Sequence, residues 1–307
     1  MEFNNFALSS IKIKSSWFEG EKKSTFHQIK KDEGLNLYLQ LFRFRVHQFI
    51  GSPKENYENH IFRVTIGELK DFTRMNLKSS LRNEQTFDLL KDMSKAGIIK
   101  LHKPSRWSYL VDKEGKIKSD SLIVLQATDV PHTHVEKNEK GNAVDKPDTD
   151  DDWYVPVNFN TINHMYNDLK FTSKEVATYL LLMKLSNGGR HEAFMNINTM
   201  KNCLGYSNEK ITDILITLNE NYLVASYPRR TGKKVSFYHI PVRSYDKIDK
   251  FKEEMGDTIR KFLKRYNKAK SEKSSPFDNV DEVVESDDLG STPNGYNKET
   301  GEIEIIL

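Results

Sequence analysis

The 307-residue chain has a single cysteine, Cys203. One thiol makes neither an internal disulfide nor a cysteine zinc cluster, which suits a reducing cytoplasm. Long apolar runs are also missing: no stretch reaches about 18 residues. The opening MEFNNFALSSIKIKS lacks a signal-peptide core. A soluble cytoplasmic protein with no membrane association is expected. Catalytic groupings are equally scarce. His132-Thr133-His134 reads as incidental histidines, and Asp150-Asp151-Asp152 as a solubilising run, since consecutive carboxylates cannot all face one ion. Gly232-Lys233-Lys234 lacks the preceding glycine spacing of a phosphate-binding loop. No nucleophile is paired with a base, so no enzyme, cofactor or metal is expected.

What is abundant is charge, and it is segregated. The net charge is only +3, yet Ser271–Leu307 carries ten acidic and two basic residues, and Thr133–Asp152 seven acidic and three basic. The rest of the chain is left at +15. A basic body with acidic appendages points to a polyanionic partner.

The clearest pattern lies in Ser173–Val242. Val176, Tyr179, Leu180 and Met183 recur at helical spacing in Ser173–Leu185. Asn196 can cap a second helix through Leu204. Ser207 can cap a third, carrying Ile211, Ile214, Leu215, Leu218 and Tyr222 on one stripe. YLVASYPRR, the turn TGKK and VSFYHIPV then read as a basic β-hairpin. Three helices followed by a hairpin is the order of a winged helix-turn-helix, which offers one helix to the DNA major groove and its hairpin to the backbone.

A second such order precedes it. ALSSIKIKSSWF alternates as a strand with Ile11 and Ile13 on one face. Leu35–Phe49 is apolar nearly all round and predicts a buried first helix. Thr65–Thr73 has a capping-box spacing, Thr65 to Glu68. A third helix is predicted from Ser80 to Lys95, with Gly97 at its C-cap. IIKLHKP, RWSYLV and SLIVLQA supply strands for a longer wing. The fold class expected is mainly α with small β wings. Residues 1–132 form a first winged-helix-like domain, 133–152 a flexible acidic linker and 153–244 a second winged helix. An amphipathic basic helix at 245–270 and a disordered acidic tail at 271–307 complete the chain. The stripe Ile248, Phe251, Met255, Ile259, Phe262 and Tyr266 reads as a packing or dimer face.

Cations hold phosphates, and hydrogen-bonding side chains on an exposed helix read base edges. The candidates in the second domain are Ser207, Asn208, Lys210 and Thr212 on the third helix, and Arg229, Arg230, Lys233 and Lys234 around the wing. In the first domain Lys78, Ser79, Ser80, Arg82, Asn83 and Thr86 open the third helix, with Arg82 suited to guanine and Asn83 to adenine. Arg106, Lys113, Lys116 and Lys118 are phosphate candidates on its wing, where Trp107 and Tyr109 read as hairpin packing. Arg260, Lys261, Lys264 and Arg265 form the basic end of the long helix.

The cadence from LLLMKL through LGYSNEKITDILITLNENYLV to VSFYHI resembles winged-helix domains of bacterial plasmid and phage replication proteins, and is similar in layout to the N-terminal domain of DnaD-type primosome proteins. Leu204-Gly205-Tyr206-Ser207 is the turn before the third helix, and the likeness covers about a quarter of the chain. The resemblance implies a replication initiator or helicase-loading factor that binds double-stranded DNA at origin repeats. Its acidic tail would recruit a replisome protein. A transcriptional regulator of a mobile element, dimerising through the long helix, and a protein-docking module are the alternatives.

Overall fold

The computed structural model describes residues 10–45, 60–73, 79–138, 141, 143–186, 191–231 and 234–271. They form a mixed protein in which helices outweigh strands. Among the described residues no helix is long and apolar enough to cross a membrane. Two compact units are present, and they are not beads in series. A host unit comprises Met1–Ile13 with Tyr154–Leu307, and an inserted unit is the continuous segment Lys14–Trp153.

Strand β1 (Ser10–Lys14) buries Ile11 and Ile13, as its alternation requires. Its hydrogen-bonded partner is Tyr154–Asn158, far along the chain. The N-terminal strand therefore belongs to the host unit and not with residues 14–132. Where the chain enters and leaves the inserted unit it is stitched together. The Ser15 N–H donates to the Trp153 carbonyl at 2.7 Å. Lys14 Nζ lies 3.4 Å from Asp129 and 3.6 Å from Asp152, and the Trp17 indole donates to Asp129 at 2.7 Å.

The inserted unit begins with a short helix α1 (Thr25–Gln28) and the buried α2 (Asp32–Leu41). Helix α2 starts three residues before the expected Leu35 and stops at Leu41, where a 3-10 turn, Phe42–Phe44, takes over. The expected last residues, 46–49, lie outside the described ones. Gly34 is required here, because a Cβ would run into the Ile29 carbonyl. Strand β2 (Ile61–Thr65) leads into α3 (Ile66–Thr73). Thr65 and Glu68 close the expected capping box, with Glu68 accepting from the Thr65 N–H at 2.8 Å and Thr65 Oγ1 from the Glu68 N–H at 3.1 Å. Helix α4 (Ser79–Lys95) ends before Gly97, whose φ of +76° is the left-handed conformation glycine adopts freely. Strands β3 (Ile99–Leu101) and β4 (Leu122–Ala127) complete an antiparallel sheet of order β2-β4-β3.

Two expectations fail in this unit. RWSYLV is not a strand: Trp107–Leu110 is a 3-10 turn. Residues three apart share a side in such a turn but face opposite sides of a strand. The turn lets the half-buried Trp107 pack edge-on against Phe87 of α4 at 5.7 Å while Leu110 is buried. Nor are residues 133–152 without structure. Thr133–Lys137 (β5) and Ala143–Pro147 (β6) pair as an antiparallel ribbon. Their charges find one another, Lys146 with Glu136 at 2.6 Å and His134 with Asp148 at 2.7 Å. Asp152 is buried and accepts from the His132 N–H at 3.0 Å.

In the host unit, β7 (Tyr154–Asn158) runs into α5 (Phe159–Asn163) and a π-helical turn, His164–Asp168. Helix α6 (Ser173–Leu185) starts at a Thr172–Glu175 capping box and is buried nearly all round. Strand β8 (Ala193–Phe194) precedes α7 (Ile197–Leu204), capped by Asn196. Helix α8 (Asn208–Glu220) is capped by Ser207 and buries Ile211, Ile214, Leu215 and Leu218. Capping side chains of this kind stabilise by about 1 kcal/mol each. Tyr222 lies beyond the helix end, at φ +57°, and so leaves the expected stripe. Strands β9 (Val224–Thr231) and β10 (Lys234–Pro241) give the antiparallel order β8-β10-β9. Helix α9 (Ile248–Ser271) buries Phe251, Met255, Ile259 and Phe262. Phe262 joins Ile216 and Phe237 in one cluster, with Tyr266 packed against it. That stripe is a packing face within its own unit. The acidic tail lies outside the described residues.

Both units thus repeat one topology: helix, strand, two helices, strand, turn, strand, with the first and second strands flanking the third.

Candidate nucleic-acid interface

In the host unit the candidate residues of α8 are mostly spoken for. Ser207 Oγ accepts from the Lys210 N–H at 3.2 Å, so the hydroxyl serves as a cap. Asn208 donates to Asn198 of α7 at 3.1 Å, tying two helices together. Lys210 lies 3.5 Å from the largely buried Glu175, and the Thr212 hydroxyl donates back to the Asn208 carbonyl at 2.9 Å. Glu209 and Asp213 stay exposed on the same helix. A face with engaged donors and exposed carboxylates is poorly equipped for a phosphate-lined groove.

The host hairpin is similarly constrained. Arg229 pairs with Glu192 at 2.6 Å, lies 4.3 Å over the Tyr238 ring and donates to the Tyr227 hydroxyl at 2.8 Å. Tyr227 donates to the same Glu192. Burial lowers the pKa of the Arg229 guanidinium, but the hydrogen bond to Glu192 together with the Tyr227, Glu192 and Tyr238 groups around it outweighs this, and the net shift is upward. Glu192, preceding β8, is a residue the sequence reading omits. Lys233 lies outside the described residues, and the side chains of Arg230 and Lys234 are outside them too. Beneath the hairpin runs a buried polar relay. Asn219 donates to Ser226 Oγ at 2.8 Å, and Ser226 Oγ lies 2.8 Å from His239 Nδ1. Burial pushes the His239 pKa down to about 4.

The inserted unit offers more. Thr86 is a correction: it is fully buried, and its hydroxyl donates to the Arg82 carbonyl at 2.6 Å. Thr86, Leu89, Leu90 and Met93 share helical spacing, so Thr86 extends the core stripe by one turn. Arg82 and Asn83 are half-buried, with Arg82 Nε and Asn83 Oδ1 shielded from solvent and lacking hydrogen-bond partners among the described residues. Lys78 and the side chains of Ser79 and Ser80 lie outside the described residues.

The long connection between β3 and β4 gathers several exposed cations in one segment. Arg106, Lys113, Lys116 and Lys118 are all exposed, as is Lys103, and none forms an ion pair among the described residues. The segment 100–118 has six cations against Asp112 and Glu114. Asp112 is itself turned into the tip, where its carboxylate accepts from the Glu114 and Lys116 N–H groups at 3.0 and 2.7 Å. Ser105 Oγ accepts from the Val124 N–H at 2.9 Å and holds the base of the connection to the sheet. Tyr109 is not packed as its neighbour Trp107 is: 56% of it is exposed.

On α9, Lys261 and Lys264 are exposed. Arg260 pairs with Asp257, and Arg265 is drawn onto the Phe237 ring at 5.5 Å. Arg265 therefore packs as much as it charges the surface. Among the described residues no cluster of His, Cys, Asp and Glu is arranged to hold a metal ion.

No family model, curated protein or solved structure gives a significant match to this chain.

Proposed function

We propose that this protein binds DNA through two winged-helix units and acts as a replication initiator or helicase-loading factor of a plasmid or phage. The observation that carries the reading is the repeated topology, three helices and a three-stranded sheet with the same strand order in both units. Recurrence of a helix-turn-helix order with a wing fits a protein that contacts two neighbouring sites. The exposed cations of the inserted unit's wing, without ion pairs among the described residues, supply the backbone affinity that such binding needs. Base reading would fall to the start of α4, where Arg82 and Asn83 have suitable chemistry. The initiator role rests on the likeness of Ser173–Val242 to replication-protein winged helices.

Selection of bound fragments from genomic and plasmid DNA, repeated across salt concentrations, tests this. Clustered repeats beside a replication gene, bound with a steep salt slope, are the expected result. A single promoter palindrome would assign the protein to transcription control instead. A docking role for the host unit draws support from the internally engaged face of α8. Salt-independent capture of a protein partner, with no DNA retained at low salt, would establish that role.

A further inference from the structure

Tyr109 has no packing role that accounts for it. It sits on the 3-10 turn Trp107–Leu110, whose other two large side chains anchor the turn: Trp107 lies against Phe87, and Leu110 is buried. The turn is thus fixed from below while the Tyr109 ring projects, 56% exposed. Its own N–H donates to the Arg106 carbonyl at 3.0 Å, and the Arg106 guanidinium lies 5.9 Å from the ring centroid. Arg106, the residue that caps the turn, thus sets its cation over the Tyr109 ring. The Lys118 N–H donates to the Leu110 carbonyl at 2.8 Å and the Asp112 N–H to the Lys116 carbonyl at 2.9 Å, which brings Lys116 and Lys118 beside the end of the turn; both are exposed, as are Lys103 and Lys113, and none has an ion pair among the described residues.

An exposed aromatic face set among uncompensated cations is the chemistry that holds single-stranded nucleic acid: cations track the backbone and the ring stacks on an unpaired base. A base within a duplex is already stacked on both faces and cannot use such a ring. We infer that the wing of the inserted unit, 102–121, binds single-stranded DNA, with Tyr109 as the base-stacking residue and Arg106, Lys116 and Lys118 as phosphate contacts. The inference rests on the DNA-binding reading and deepens it. It places base stacking with an opened strand on this wing, whose cations hold the backbone of either form, and leaves base reading in the duplex to the helices.

The test compares affinity of the full chain for a 20-residue oligothymidylate and for a duplex of equal length. Tyr109→Ala is expected to weaken oligothymidylate binding about tenfold, as loss of one stacking contact does, with duplex affinity changed less than twofold. Tyr109→Phe retains the ring and is expected to bind as the parent does. Lys116→Ala with Lys118→Ala is expected to lower the salt slope for both probes. Tyr109 is exposed, so unchanged thermal unfolding of Tyr109→Ala provides the folding control. Unchanged oligothymidylate affinity in Tyr109→Ala, beside weakened binding in the lysine variant, overturns the stacking role and leaves DNA binding standing. Equal losses on both probes would also overturn it, making Tyr109 a duplex contact. Failure of the parent to bind either probe would overturn the DNA reading itself.

Discussion

Arg229 and Glu192 form an ion pair at 2.6 Å, and the same guanidinium lies 4.3 Å above the Tyr238 ring. The cation that looks best placed on the host hairpin is therefore held by a carboxylate from the start of β8, nearly forty residues earlier. Glu192→Gln removes that restraint and one negative charge. Nonspecific DNA affinity at low salt is expected to rise severalfold, with the salt slope steeper by about 0.9 for one added phosphate contact. Thermal unfolding should fall slightly, because Arg229 and Tyr227 lose their charged partner. An unchanged slope would mean that Arg229 does not reach phosphate even when released.

Two histidines contribute to the response to acid, His239 buried and His60 half-buried. His60 and His239 are both held down to about 4, His239 by burial, and His60 by burial with the Arg45 charge adding to it. In the unfolded chain each returns to about 6.5. Between those values the unfolded state binds more protons, so stability is complete above pH 6.5 and is lost as pH falls toward 4. Each histidine contributes up to about 3 kcal/mol to that loss. Urea unfolding at pH 7.5 and 5 should reveal it, and His239→Gln should flatten the host unit's share. Equal stability at both pH values would contradict the burial of these rings.

Gly34 meets the Ile29 carbonyl where a Cβ would sit. Gly34→Ala is expected to destabilise the inserted unit by about 1–3 kcal/mol, the range for forced overpacking, despite alanine's better helix propensity. Hydrogen exchange should localise the loss to α1 and α2. A stabilised variant would show that the turn between these helices relaxes freely.

Removing residues 1–13 is expected to damage the distant half of the chain. Ile11 and Ile13 are buried, and full burial of such a side chain is worth roughly 1.5–3 kcal/mol. Amide exchange in Tyr154–Asn158 should accelerate, while α2 and α4 keep their protection. Loss of protection in α2 instead would assign β1 to the inserted unit.

The sequence carried its local signals well and its distant ones poorly. Thr65, Asn196 and Ser207 cap helices as their spacing predicts, because a cap is decided within four residues. Gly97 follows the same logic. Pairing of β1 with β7 is decided across the whole inserted unit, and nothing in SIKIK names its partner. The ribbon at 133–147 was hidden by its composition: acidic residues suggest a solvated linker until Glu136 meets Lys146 and Asp148 meets His134. Candidate DNA contacts suffered most. Lys210 and Arg229 look free until Glu175 and Glu192 are brought beside them by folding. Thr86 was legible after all, since its spacing to Leu90 and Met93 continues the apolar stripe.

The stitched entry and exit of the inserted unit have a genetic corollary. Ser15 and Trp153 are hydrogen-bonded, so one continuous stretch of coding sequence, 14–153, begins and ends at a single point in space. Such a cassette can be exchanged for another with equally close termini while β1 and β7 stay paired. Whatever the inserted unit carries could then change in one recombination event, with the host unit's own sheet and helices inherited intact.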